Sequence, residues 1–150
     1  MSAAPYFIVY DAQGLKPYAQ QLVALDAQVF GESVVMVDRL AGCAVIHLET
    51  RQVISYALFD PEPRDGGEYY IYTLATHPRF LRQGHAVRVL HALIVRYGDH
   101  GLLLRIEKDT DSFDVALSLY LGLGFRPTRR REHINPSTAA TTVTLYRPPP

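Results

Sequence analysis

The stretch of sequence that decides the fold is Leu74-Ala75-Thr76-His77-Pro78-Arg79-Phe80-Leu81-Arg82-Gln83-Gly84-His85-Ala86. Its first residues end a run rich in aromatic and β-branched side chains, Tyr69 to Ala75, which predicts a strand. From about Gly84 to Tyr97 apolar residues recur at helical spacing and predict a helix. The apolar run Gly101 to Ile106 then predicts a buried strand. Strand, helix and strand in this order form a βαβ unit, whose two strands should run parallel.

The segments on either side of this unit predict further strands and helices. Before it, strands are expected at Tyr6 to Tyr10, Ala44 to Leu48 and Val53 to Phe59. Between the first two of these strands we expect a turn at Asp11 to Lys16 and a helix from Pro17 to about Val29. Residues 31–40 have no clear assignment. After it, Asp111 or Ser112 can cap a helix for which Gly122 and Gly124 are stop signals, and strands are expected at Phe125 to Arg131 and Thr141 to Tyr146. The predicted fold class is α/β (α+β), a mixed, mostly antiparallel sheet with helices on both faces and one parallel βαβ unit. One domain is expected over residues 1–147, with a proline tail at 148–150.

Composition excludes several classes of protein. The 150 residues suit one domain, and 15 basic against 15 acidic residues leave no net charge to attract nucleic acid or an anionic membrane. No apolar run approaches the ~18 residues that a membrane span needs, and the N-terminus lacks the features of a signal peptide. The single cysteine, Cys43, lies in an apolar run and is expected to be buried, with a catalytic thiol as the alternative. It favours a reducing, cytoplasmic setting.

The loop before the first helix has the chemistry of a phosphate site. A helix N-terminus presents unpaired N–H groups and a partial positive charge, which suit a pyrophosphate. Gly84 lets the backbone approach a ligand closely, while Arg79 and Arg82 add positive charge. The alternative is an ordinary loop in which the glycine only relieves strain.

A second segment lies further along the chain. Residues 116 to 125 place Tyr120 in a predicted helix that ends just before Gly124-Phe125. Taken alone, this pattern predicts an amphipathic helix with a buried aromatic side chain.

Together the two segments resemble the GNAT family of N-acetyltransferases. The acetyl-coenzyme A loop of that family follows a strand and a proline and has the pattern Arg/Gln-x-x-Gly-x-Gly/Ala, and Leu81-Arg82-Gln83-Gly84-His85-Ala86 occupies that position after Pro78. A later family motif has an alanine, a tyrosine four residues on, and then Gly-Phe. Ala116, Tyr120 and Gly124-Phe125 match it in order and spacing, and the resemblance covers about residues 42 to 131.

The resemblance implies transfer of an acetyl group from acetyl-coenzyme A directly to an amine. It implies that the cosubstrate is bound by the backbone of Leu74, Ala75 and Thr76, by Arg82, Gln83, Gly84, His85 and Ala86, and near Phe113. Tyr120 takes the place of the general acid that protonates the leaving thiolate. Two departures from the family pattern are Leu81, where Arg or Gln is usual, and Phe113, where an asparagine is frequent.

The general base is less clearly defined by the sequence. Period-two alternation puts Glu68, Tyr70 and Tyr72 on one strand face, where Glu68 can act through a water held by the two phenols. The alternative is that both tyrosines only line the pocket and that no strong base exists. His133, in the polar stretch before the last strand, is a second base candidate on the substrate side.

Other features bear on partners. The basic run Arg126 to Arg131 suits an acidic partner or a solvated strand edge, and no set of side chains has metal-ligand spacing. We therefore expect an amine substrate, acetyl-coenzyme A, no metal, no nucleic acid and no membrane, while a homodimer stays open. A regulatory module that binds acyl-coenzyme A without catalysis is the alternative function.

Overall fold

A computed structural model describes residues 5–130, 133–134, 136 and 141–150. The chain forms two compact units, the first from the described part of Met1–Pro61 with Tyr72–Leu93, and the second from the described part of Glu62–Ile71 with Ile94–Pro150. The strands are β1 (Tyr6–Tyr10), β2 (Gly42–His47), β3 (Val53–Phe59), β4 (Tyr69–Thr76), β5 (Leu102–Glu107), β6 (Arg126–Pro127) and β7 (Thr142–Arg147). The helices are α1 (Asp11–Leu15), α2 (Ala19–Phe30), α3 (His85–Tyr97) and α4 (Phe113–Gly122).

The sheet of the first unit is built around β2. This strand pairs antiparallel with β1 on one side and with β3 on the other, and β3 is followed by β4. Ala44 and Ile46 of β2 belong to a buried cluster with Leu22 and Leu25 of α2. The buried Cys43 points to the opposite face and donates its Sγ–H to the carbonyl of Val89 in α3, at 3.3 Å. Within this unit the helices therefore cover both faces, as predicted, and Cys43 is buried.

The sheet of the second unit holds the parallel pair. The first two residues of β4 pair parallel with β5, Tyr69 opposite Leu102 and Tyr70 opposite Leu103. Strand β5 pairs antiparallel with β7 over its full length, and β7 carries β6 at its edge. The predicted mixed sheet with one parallel βαβ unit is therefore confirmed, with the strand order β1-β2-β3-β4-β5-β7-β6.

Three local predictions were wrong or incomplete. Asp11 to Leu15 form the short helix α1 instead of a turn, with Asp11 itself at a positive φ of 64°. Ser112 occupies the N-cap of α4, but its side chain makes no capping hydrogen bond. Strand β6 covers only Arg126–Pro127 of the predicted strand, whose end at residue 131 lies outside the described residues. Pro127 has no N–H to extend the ladder, which suits a strand at a sheet edge.

Across the described residues, none of the helices has both the length and the apolar character that crossing a membrane requires.

Candidate active site

The loop that precedes α3 is exposed and has an unusual backbone conformation. Arg82 and Gly84 both have positive φ values, 64° and 80°, and residues 81–84 are exposed to solvent. A glycine adopts this conformation without steric cost, whereas the same conformation at Arg82 is strained. Helix α3 begins at the next residue, His85, so its first N–H groups lie directly behind an open loop. The local geometry therefore fits the pyrophosphate of a coenzyme.

Arg88 brings a positive charge to this loop. Its Nη1 donates to the carbonyl of Gln83 at 2.7 Å, and its guanidinium lies over the ring of Tyr6, 5.0 Å from the centroid. Leu81, the departure from the family pattern, is 55% exposed and offers no charge. Arg88 lies outside the family's loop pattern, but its place on the predicted helix, four residues after Gly84, is the signal that could have linked it to the loop.

His85 is buried beneath the loop, not displayed on it. Its ring meets Tyr6 and Phe80 edge to face, with centroids 5.6 and 6.3 Å apart. Burial, and then the charge of Arg88, lower the pKa of His85, so the imidazole is neutral at pH 7. The part of His85 that can meet an anionic ligand is therefore its backbone N–H.

Tyr72, in the middle of β4, belongs to the first unit. Its Oη accepts the backbone N–H of Met36 at 3.0 Å. Burial raises the pKa of Tyr72, so the hydroxyl is protonated at pH 7 and can donate a hydrogen bond. Further along β4, the carbonyl of Ala75 accepts a hydrogen bond from Oγ of the buried Ser55 of β3 at 2.9 Å. The same Oγ lies 3.0 Å from Thr76 Oγ1. Side chains alternate along β4 as predicted, with Tyr72 and Leu74 partly exposed and Thr73 and Ala75 buried.

The two base candidates of the second unit lie in contact. His133 Nε2 is 3.5 Å from Glu68 Oε1, and the two residues are only 2% and 3% exposed. His133 Nδ1 lies 3.3 Å from Thr128 Oγ1, and its ring stacks against Tyr146 with centroids 4.6 Å apart. Among the described residues Glu68 Oε1 forms no hydrogen bond. A buried carboxylate oxygen without a donor is costly, so the pair is a candidate functional site.

Gly101 makes room for this pair. A Cβ at this position would lie 3.2 Å from the ring and hydroxyl of Tyr146 and 3.4 Å from the Cβ of Glu68. The φ of Gly101 is +76°, which also favours glycine. The carbonyl of Gly101 accepts the N–H of Tyr69 at 3.0 Å and so fixes the start of β4 beside it.

Strand register extends the same face of the second unit. Tyr70 is opposite Leu103, and Leu103 is opposite Tyr146, so these three side chains share a face. Arg105, two residues beyond Leu103, places its guanidinium 4.8 Å from the centroid of the Tyr70 ring, and Arg64 lies 4.9 Å from it. Neither arginine was predicted from the sequence as part of a site. Arg105 could have been, because a charged residue within the apolar run of β5 indicates a functional position.

Tyr120 lies in the last turns of α4, in the second unit. Its side chain is 8% exposed and meets Phe125 edge to face, with centroids 5.8 Å apart. Burial raises the pKa of Tyr120 to about 12, so the phenol keeps its proton at physiological pH. Phe113, at the start of α4, lines an open groove of about 580 Å³ with Leu117, Thr128 and neighbouring residues of β7.

The chain was compared with known proteins. The family model described as the acetyltransferase (GNAT) family matches residues 9–125. Comparison with curated proteins gives no match.

Solved structures share the fold at low sequence identity. Ard1 from Thermoplasma volcanium has a TM-score of 0.68 at 14% identity, with 97% of each chain covered. The ribosomal-protein-S18-alanine N-acetyltransferase from Escherichia coli has a TM-score of 0.63 at 16% identity, covering 96% of this chain and 94% of that one. Arabidopsis thaliana Naa50, in complex with the bisubstrate analogue CoA-Ac-MVNAL, has a TM-score of 0.69 at 13% identity, covering 95% of this chain and 97% of that one.

Proposed function

The chain belongs to the acetyltransferase (GNAT) family and is an acyltransferase, and on that premise we propose that it moves an acetyl group from acetyl-coenzyme A to the amine of a peptide or small molecule in the cytoplasm. The observation that carries the proposal beyond the family is the buried pair formed by Glu68 and His133. A carboxylate and an imidazole in contact provide the proton acceptor that transfer to an amine needs. Among the similar structures, one is a ribosomal-protein-S18-alanine N-acetyltransferase and Naa50 is bound to the peptide bisubstrate analogue CoA-Ac-MVNAL, which supports an amine of this class.

In this proposal the cosubstrate is held by the loop and helix start of the first unit. Acetyl-coenzyme A supplies the acetyl thioester. The backbone of residues 82–86 holds its pyrophosphate, and Arg88 adds the charge that Leu81 lacks. Backbone N–H groups of residues 74–76 bind the acetyl carbonyl and the pantetheine arm, and Phe113 contacts the arm from α4. The open loop with its two positive φ values supports this assignment.

The Glu68–His133 pair acts as the base in this proposal. A primary amine has a reference pKa of about 10.4 and is protonated at pH 7, so it must lose a proton before it can attack. That proton passes to the pair through a water before the nitrogen–carbon bond forms, while Tyr70 and Tyr72 line the acceptor side. As the carbon–sulfur bond then breaks, the nitrogen loses its second proton and the leaving sulfur takes up a proton, so that coenzyme A leaves as the thiol. Tyr120 donates a hydrogen bond to that sulfur.

The raised pKa of Tyr120 limits how this donation works. A phenol with a pKa of about 12 is a weaker acid than a thiol with a reference pKa near 8.5, so full proton transfer to a solvated thiolate is uphill by about 5 kcal/mol. A thiolate formed in a buried site is more basic than one in water, because burial disfavours its charge. We therefore propose that Tyr120 first stabilises the leaving sulfur by a hydrogen bond. It transfers its proton to the sulfur as negative charge develops there.

Neutralising either member of the buried pair tests the base. We expect Glu68→Gln to lower turnover by roughly 10²-fold, with the largest loss at low pH, where little amine is free of its proton. His133→Gln should cost about as much, and the double variant no more than the worse single one, because the two act as a unit. Steady-state rates measured across pH with acetyl-coenzyme A and a panel of amines give this result.

The matched control is Glu107→Gln, which removes an exposed carboxylate at the end of β5. It should keep the wild-type pH–rate profile, and thermal unfolding of all variants should confirm that they fold. Identical pH–rate profiles for wild type and Glu68→Gln would remove Glu68 from the mechanism and leave His133 to be tested alone.

The exposed Leu81 favours one alternative, a module that binds acyl-coenzyme A without catalysis. Thiol release with the amine panel separates the two functions. An enzyme releases coenzyme A in step with acceptor consumption, whereas a binding module shows a calorimetric affinity and no release.

A further inference from the structure

Asp26 on α2 is a buried charge that the proposed chemistry does not use. Its side chain is fully buried, and an unpaired carboxylate in such a place costs several kcal/mol. Tyr56 Oη and Thr73 Oγ1 each donate to Oδ1 at 2.5 Å. The backbone N–H of Val34 donates to Oδ2 at 2.8 Å, and Ser33 Oγ donates to it at 3.3 Å. Four donors thus converge on one carboxylate.

Two of these donors belong to the segment that follows α2. Ser33 Oγ also accepts the N–H of Val35 at 3.2 Å, and the N–H of Met36 then donates to Tyr72 Oη at 3.0 Å. Thr73, the neighbour of Tyr72 on β4, is bound to the same carboxylate. Asp26 therefore holds the segment 33–36 and strand β4 together at the point where Met36 meets Tyr72.

The bond from Met36 defines what the Tyr72 hydroxyl can do. The Tyr72 oxygen accepts this hydrogen bond, and its O–H group can still donate to a further partner. Burial first, and the charges of Asp26 and Asp60 as smaller contributions, raise the pKa of Tyr72. The hydroxyl is thus a neutral donor with a defined direction. The segment also presents Val34, which is 56% exposed and available to a ligand.

We propose that Asp26 is a positioning residue for the acceptor: it fixes the segment 33–36 and, through the Met36 N–H, aims the Tyr72 hydroxyl at the acceptor or its bound water. This inference rests on the proposed function, because it needs Tyr72 to line the acceptor side. A carboxylate that only stabilises the fold would affect folding without acting through Tyr72.

A double-mutant cycle tests the inference, with Asp26→Asn, Tyr72→Phe and the combination. Loss of an oriented hydrogen bond to the acceptor should raise its KM by roughly 10-fold in each single variant. The affinity for acetyl-coenzyme A, measured by calorimetry, should change less than two-fold. The combined variant should be no worse than the worse single one, because Asp26 acts through Tyr72.

Controls separate this role from general effects. Glu49→Gln removes an exposed carboxylate of the first unit from the turn between β2 and β3 and should leave the acceptor KM unchanged. If Asp26→Asn does not fold, Ser33→Ala loosens the segment more gently and replaces it in the cycle, with a few-fold rise in KM that disappears in the Tyr72→Phe background.

Two results would overturn the inference. One is a cycle in which the effects of Asp26 and Tyr72 multiply, and the other is an Asp26→Asn protein with a lowered Tm and an unchanged KM. A wild-type chain that acetylates no amine in the panel would instead defeat the proposed function, and the inference would fall with it. The two failures are therefore distinguished by the wild-type rate alone.

Discussion

Replacing Tyr120 by Phe is expected to lower the rate constant for acetyl transfer by roughly 10²–10⁴, the usual scale for a lost general acid. The substitution removes only the hydroxyl and keeps the ring, which is 8% exposed and packs edge to face on Phe125. Stability and acetyl-coenzyme A affinity should therefore stay close to wild type. Single-turnover kinetics, which isolate the chemical step, provide the measurement.

Two comparisons show whether the lost hydroxyl acts on the leaving sulfur. The defect should shrink with an acyl donor whose thiol has a lower pKa, because its thiolate needs less stabilisation. Tyr97→Phe, which removes a phenol from the end of α3, should transfer at the wild-type rate. Wild-type turnover by Tyr120→Phe, with chemistry shown to be rate-limiting, would assign Tyr120 to the core and remove it from the transfer step.

The pKa of about 12 also sets the pH dependence expected for Tyr120. Because the pKa is raised, the Tyr120 phenol stays protonated at all lower pH values. Its contribution to the transfer rate therefore persists as pH rises and is lost only near pH 12. Wild-type rates should therefore show no loss from ionisation of a tyrosine up to about pH 10, the reference pKa of a phenol. A falling limb near pH 10 that is absent in Tyr120→Phe would contradict this assignment.

Features with a local cause could be predicted from the sequence. The βαβ unit was recognised because apolar spacing changes from a strand period to a helix period on either side of Gly84, and the structure has β4, α3 and β5 there. The first helix of the chain was missed. The segment Asp11 to Leu15 contains a glycine, which is a turn signal in the sequence. In the structure the segment begins at a positive φ, but tertiary packing buries Leu15 completely and stabilises a helical turn.

The arrangement of the site depends on contacts between residues distant in the chain, which local patterns do not specify. Alternation identified the face that bears Glu68 and Tyr70, but nothing near Glu68 in the sequence indicates that His133 lies against it. Asp26 gave no signal at all, because a single acidic residue on a predicted helix is usually exposed. Its burial follows only once β3 and β4 bring Tyr56 and Thr73 to it.

Gly84→Glu is expected to weaken acetyl-coenzyme A binding by 10²–10³-fold while the fold survives. A carboxylate placed about 4 Å from a phosphate oxygen is repelled by about 4 kcal/mol at an effective dielectric constant near 20, which corresponds to this factor. The new side chain also occupies the space in front of the α3 N–H groups. Isothermal titration calorimetry with acetyl-coenzyme A measures the loss.

Two further glycine variants separate charge from backbone strain. A Cβ at Gly84 would meet nothing closer than Arg88 Nη1 at 3.7 Å, so Gly84→Ala adds only the cost of a φ of +80° and should weaken binding at most several-fold. Gly31→Glu carries the same charge at a φ of +88°, in open space at the end of α2. It matches the strain and the charge of Gly84→Glu away from the loop and should bind acetyl-coenzyme A like wild type. Equal affinities for Gly84→Glu and Gly31→Glu would mean that the loop before α3 does not hold the pyrophosphate.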